Sequence, residues 1–228
     1  MKRLISIYFF SVLLLLCFFL TDSMAAGIGF NVTGGGGSAK WDANNWSHSG
    51  SDRDFHLKTD NERAGIGFLL DSAVGSGKVF NYRLNIGTES LDYKVKSVFR
   101  FTIDPNLSGT FETKGRFMSH DFGFKLFERQ KIRIWLGPEI RLSKVEGKLS
   151  SDKNYEISIS SFGVGPVLGV NLNIGKTLSL AFKVGALEMA SYGELDYNAT
   201  GEDWDIYSDS DHYIFANAGL LFRFGEPY

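Results

Sequence analysis

The chain has 228 residues, a length that holds one domain, or one domain behind a targeting segment. Twenty phenylalanines, nine tyrosines and 26 glycines stand against four prolines, and no long stretch repeats at the helical period. Formal charge is −2, and without Lys2 and Arg3 it becomes 22 basic against 26 acidic groups, or −4. That balance excludes nucleic-acid binding, which needs a basic face.

Residues 1–26 pair Lys2-Arg3 with an apolar run from Leu4 to Leu20, then small residues at Ser23, Ala25 and Ala26. This is the pattern of a cleaved signal peptide. Leu14-Leu15-Leu16 before Cys17 lacks the small residue of a lipid-attachment site. Cleavage leaves residues 27–228 without cysteine, so neither disulfides nor thiolate metal sites are expected.

The mature chain alternates at period two, the mark of strands. A first strand carries Ile28, Phe30 and Val32 on one face, and the glycines of 34–37 have no helix or lysine behind them that would make a phosphate cradle. Residues 38–61 read as a long polar loop. Strand two, about 62–71, turns Ala64, Ile66, Phe68 and Leu70 one way and Arg63, Gly65, Gly67 and Asp71 the other. Strand three continues with Phe80, Tyr82, Leu84 and Ile86, loses phase over 88–94, and restarts at Phe99, which predicts a bulge or loop. Residues 104–109 read as the tip of a protruding hairpin.

Strand four (115–127) and strand five (from Ile132) keep Phe122, Phe124, Leu126, Ile134, Leu136 and Ile140 on the apolar face. The clearest pattern is Phe162–Gly185, two apolar-faced arms about Gly175-Lys176-Thr177 that set Ile174 opposite Leu178. Its other face holds Gly163, Gly165, Gly169, Asn171, Asn173 and Lys183. Strand eight spans about 211–224, with Ile214, Leu220, Phe222 and Phe224 on the apolar face. Pro138 and Pro166 fall within strands and roughly opposite each other, predicting a kink or bulge.

Connections after strands two, four and six are short; those after one, three, five and seven are long. The expected fold is all-β: an eight-stranded antiparallel up-and-down transmembrane barrel, termini in the periplasm, in the cell outer membrane. The apolar face meets lipid, and the glycine-rich polar face suits a narrow lumen.

The inward set forms a charged lattice of Arg63, Asp71, Arg83, Asp121, Lys125, Arg133, Glu139, Arg141, Lys183 and Arg223. Side chains fill so narrow a barrel, and buried charges there must pair. The lattice therefore reads as a salt-bridged plug with a basic excess, or as a narrow gated path. Residues 191–211 read as an acidic extracellular loop with Glu194, Asp196, Glu202, Asp203, Asp205, Asp209 and Asp211 and no basic residue. Its spacing matches no EF-hand, so a solvated loop is expected, with divalent bridging to lipopolysaccharide phosphates or a basic partner as alternatives. Trp204, Tyr192, Tyr197, Tyr207 and Tyr213 are expected in an interfacial aromatic belt.

No histidine among His48, His56, His120 and His212 has a serine two residues later, and Ser119 and Asp121 face away from His120. No enzyme, cofactor or metal is expected. The sequons at Asn31, Asn45 and Asn198 are read as chance matches.

With eight alternating strands and the ending Leu220-Leu221-Phe222-Arg223-Phe224, the chain resembles small bacterial outer-membrane β-barrels of the OmpA/OmpX and porin-like type. Gly225-Glu226-Pro227-Tyr228 departs from that aromatic ending. The resemblance implies Gram-negative outer-membrane lipids and lipopolysaccharide as surroundings, recognition of the last strand by the barrel-insertion machinery, and a monomer. It implies no activity. A structural or surface-interacting role is expected; the alternatives are a narrow pore for water or small solutes and a lipid-modifying enzyme.

Overall fold

The computed structural model describes residues 26–44, 55–74, 78–100, 107–199 and 201–224. The predicted signal peptide, except Ala26, and His48 and residues 225–228 lie outside them. Eight strands form: β1 (Ala26–Asn44), β2 (Phe55–Asp71), β3 (Phe80–Arg100), β4 (Thr110–Arg129), β5 (Ile132–Leu149), β6 (Tyr155–Ile174), β7 (Leu178–Tyr197) and β8 (Glu202–Phe224). Each pairs antiparallel with the next, and β8 returns to β1 to close a barrel.

One row of paired residues fixes the geometry. It runs Ile28, Leu70, Leu84, His120, Ile140, Val164, Glu188, His212 and back to β1 at Ser38. One circuit therefore climbs from residue 28 to residue 38, a stagger of ten (38 − 28). Eight strands with that stagger tilt by about 40°, so the climb spans roughly 25 Å, the height of an outer-membrane apolar band. Phe30, Val32, Ile66 and Ile214 stand exposed on the outside within it, and Phe124, Leu126 and Phe224 at its lower end. In water such a surface would be an aggregation hazard; against hydrocarbon it is the stable arrangement.

The strands are longer than the sequence predicts, because the alternation inverts its polarity where the strands leave the band. On β3 the inward series Arg83, Asn85 continues without a slip to Glu89, Leu91 and Tyr93, while Thr88, Asp92 and Lys94 face out. The predicted break at 88–94 is thus a change of solvent, not of phase. The one register shift of the β2–β3 pair falls higher, at Lys58/Thr59 opposite Ser97 and Val95. The loops predicted at 38–61 and 191–211 likewise shrink, since β1 runs to Asn44 and β7 and β8 are joined by 198–201.

Pro138 and Pro166 pair directly, as expected, yet no register shift accompanies them. The β6–β7 ladder passes over 165–166 and resumes in the same register at Val167. Each proline turns its ring to the outside and removes one amide donor from the ladder, and the neighbouring pairs hold the alignment. The predicted turn holds: Ile174 pairs with Leu178, with Gly175 at φ 67°.

Close packing inside is set by Trp135, fully buried on β5. A Cβ on Gly169 would lie 2.1 Å from its ring, and one on Gly123 2.6 Å. The glycines on the two flanking strands thus make the slot that admits an indole. Gly169→Val is expected to destabilise the barrel by about 1–3 kcal/mol, read as a lower midpoint of heat-modifiable gel migration. Adding Trp135→Leu to that variant should recover part of the loss.

Candidate functional site

The lumen is filled in three layers. At the periplasmic base the 72–74 turn folds inward, with Ala73 and Val74 fully buried. Asp71 accepts from Arg83 Nη2 at 2.7 Å, Arg83 Nε at 3.1 Å, Asn171 Nδ2 at 3.2 Å and the Ala73 amide at 3.0 Å. Arg133 donates to the Ala73 and Lys78 carbonyls. Arg83 also lies over the Trp135 ring, 4.8 Å from its centroid.

The middle layer carries the densest charge. Lys183 Nζ sits 3.0 Å from both Asp121 oxygens and 2.6 Å from Glu139 Oε2. Arg141 bridges Glu139, at 3.9 Å, to Glu89, which also faces Arg63 at 3.6 Å. Aromatic rings back the cations: Arg63 lies over Tyr213 at 4.1 Å and Arg141 over Phe117 at 4.2 Å. Every cation of this layer thus meets a carboxylate or a π-face, which is the condition for burying it.

Of the ten predicted lattice residues, eight are buried in the lumen. Lys125 and Arg223 sit at the periplasmic lip instead, Lys125 with Glu128 at 2.8 Å and Arg223 with the Gly175 carbonyl. Two residues were missed. Glu89 lay beyond the supposed break in β3, although its parity matches Arg83 and Asn85. Asp211, which the sequence places in the acidic loop, is buried and accepts from Asn61 at 3.1 Å. The buried charges among the described residues are therefore five basic and five acidic, and the predicted basic excess disappears.

Above the lattice the lumen turns apolar. Trp41, Leu91, Tyr93, Phe111, Ile159 and Trp204 belong to one buried cluster spanning the upper strands. Trp204 and Tyr213 are lumen residues, not members of an aromatic belt, because β8 turns its even residues inward up to Ser208 and its odd residues inward from Asp211. Tyr192 and Tyr207 do face out, and Tyr197 stacks on Tyr155 at 4.4 Å.

Outside this upper half runs an acidic ladder rather than a loop. Glu194 pairs with Asp205, and Asp196 with Asp203 and Glu156, in strand register. The side chains of Glu202 and Asp209 lie outside the described residues. Among those described, no three acidic, histidine or cysteine groups converge to hold a metal ion. Burial, then Glu194, Asp203 and Glu156, push the Asp196 carboxyl above its ordinary range. The folded chain thus binds this proton more tightly than the unfolded one. Stability from this edge is greatest near the ordinary aspartate range and is lost as pH rises through the raised value. Acidification from neutral should slow protease cleavage at the 198–201 turn, and Asp196→Asn should gain up to about 1 kcal/mol and flatten that dependence.

The three histidines among the described residues lie outside the lumen. His120 meets the Tyr82 hydroxyl at 2.5 Å, His212 meets Glu188 at 2.7 Å, and His56 meets Asp42. Ser119 and Asp121 are buried on the other face from His120.

An apolar belt outside, a closed ring of strands and a filled polar interior define an outer-membrane β-barrel. No family model and no curated protein matches the chain. Its fold is similar to outer membrane protein OprG from Pseudomonas aeruginosa, at 12% identity over 90% of this chain and 99% of that one, with a TM-score of 0.59. Weaker likenesses are to Neisserial surface protein A, at 14% identity over 86% and 97% of the two chains (TM-score 0.37), and to Ail of Yersinia pestis, at 10% over 88% and 100% (TM-score 0.37).

Proposed function

We propose that this outer-membrane barrel is a closed structural and surface-interacting protein, not a conduit. The observation that carries this reading is the continuity of the filling. The Asp71–Arg83 base, the Lys183-centred lattice and the upper apolar cluster follow one another along the axis. An ion crossing it would displace paired charges and then enter a hydrocarbon-like section, and both steps are costly. The part left to do work is the exterior, with its acidic ladder outside the bilayer. Purified protein in planar bilayers should give no conductance above baseline, and steady single-channel steps would overturn the reading.

One arrangement favours a second reading, hydrolysis of a membrane lipid ester. Ser38, His212 and Glu188 are register neighbours on the outer face, with the carboxylate already on the imidazole. Lipid turnover by purified protein that disappears in Ser38→Ala would establish it; no turnover leaves the closed barrel.

A further inference from the structure

On the outer face Arg116 of β4 lies directly opposite Lys144 of β5, and neither flanking partner in that row, Thr88 or Ser160, is charged. Like charges directly opposite on one sheet face repel. Lys114 stands one outward position higher on β4, across from Glu146. Glu146 pairs with Lys144 at 2.8 Å, while Arg116 and Lys114 have no ion-pair partner among the described residues. Three cations against one carboxylate leave a net +2 here, although β6–β8 beside it are acidic.

The stagger puts Arg116 and Lys144 close to the upper edge of the apolar band, roughly 20 Å above Ile28. Directly below them the wall is apolar: Met118, Leu142 and Phe162 in successive strands, with Ala190 next to Phe162. These residues line one shallow groove of ≈ 760 Å³ that also reaches Arg116, Lys144 and Tyr192. The outward Ser160 and Ala190 make its floor low, since no large side chain rises there. The groove is therefore amphipathic along the membrane normal, with hydrocarbon below and positive charge at headgroup depth.

We propose that this groove is a binding site for a phosphorylated glycolipid of the outer leaflet, an acyl chain lying over Leu142, Phe162 and Ala190 and a phosphate held by Arg116 and Lys144. A guanidinium matches two phosphate oxygens at once, and Lys144 and Lys114 add point charge. The anion also relieves the Arg116–Lys144 repulsion, so the bound state is where the like-charge pair becomes favourable. This site gives the exterior of the closed barrel a defined ligand and rests on the outer-membrane placement, not on whether the lumen conducts.

The test is native mass spectrometry of the detergent-solubilised barrel titrated with bisphosphorylated lipid A, lipid A stripped of both phosphates, and phosphatidylglycerol. The wild type should retain bisphosphorylated lipid A at least ten-fold better than either other lipid. Arg116→Glu/Lys144→Glu should lose that preference while still showing heat-modifiable migration. Ala190→Trp, which fills the groove and leaves the charge alone, should weaken binding several-fold. Equal retention of the dephosphorylated lipid overturns the phosphate contact, equal retention of phosphatidylglycerol overturns the outer-leaflet ligand, and unchanged binding by both variants overturns the site. Should the double mutant fail to fold, loss of wild-type binding at high salt provides the same evidence, and salt-independent binding refutes the charge contact. Bilayer conductance is independent of every one of these results.

Discussion

Lys183→Ala is expected to destabilise the barrel by about 3–5 kcal/mol, because it leaves two buried carboxylates facing each other. Lys183 Nζ alone lies within 3.0 Å of both Asp121 and Glu139, and Arg141 reaches Glu139 only at 3.9 Å. Urea titration of heat-modifiable migration in detergent reads the loss. The companion variant Lys183→Met/Asp121→Asn removes one charge of each sign, leaves Glu139 beside Arg141, and should recover most of it. A buried pair is costly to break from one side and nearly neutral to replace as a set. If the single variant unfolds at the wild-type midpoint, the lattice is not what holds the membrane section closed.

Trp41→Ala should remove about 3–5 kcal/mol from the upper half while leaving the membrane section intact. Trp41 is buried, donates to Thr59 Oγ1 at 3.2 Å and meets Tyr93 edge-on at 5.5 Å. Above the bilayer the strands have water outside, and this apolar cluster makes up most of the inside, with Thr59 and Thr113 among it. That half is therefore held like a soluble β-barrel, by area removed from water. Limited proteolysis should cut the variant in the upper strands and spare a membrane-embedded fragment. Cleavage spread evenly along the chain, or none beyond wild type, would contradict this division of labour.

Much of the barrel was legible because alternation survives any context. The Phe162–Gly185 hairpin, its Gly175 turn and the apolar face of strand eight follow from side chains that point to opposite faces in turn. The lattice was legible for the same reason wherever the outside was lipid: Arg63, Asp71, Arg83, Asp121, Arg133, Glu139, Arg141 and Lys183 stand out against apolar neighbours. Glu89 and Asp211 were hidden because they sit where the surroundings change. Near the interface an acidic residue beside other polar groups looks like a loop, although its parity still places it in the lumen.

By itself, then, the amino-acid order determined that eight alternating strands expose an oily girdle and enclose polar groups. It also placed the hairpin ends and the facing prolines. Only the closed barrel decided how far the strands continue, which acids neutralise the lumen arginines, and that Arg116 comes to rest against Lys144. The reason is that period two says two side chains face opposite ways, but not what each face meets. That depends on height along the tilted barrel, and the stagger of ten residues per circuit, which sets the height, exists only once β8 has met β1.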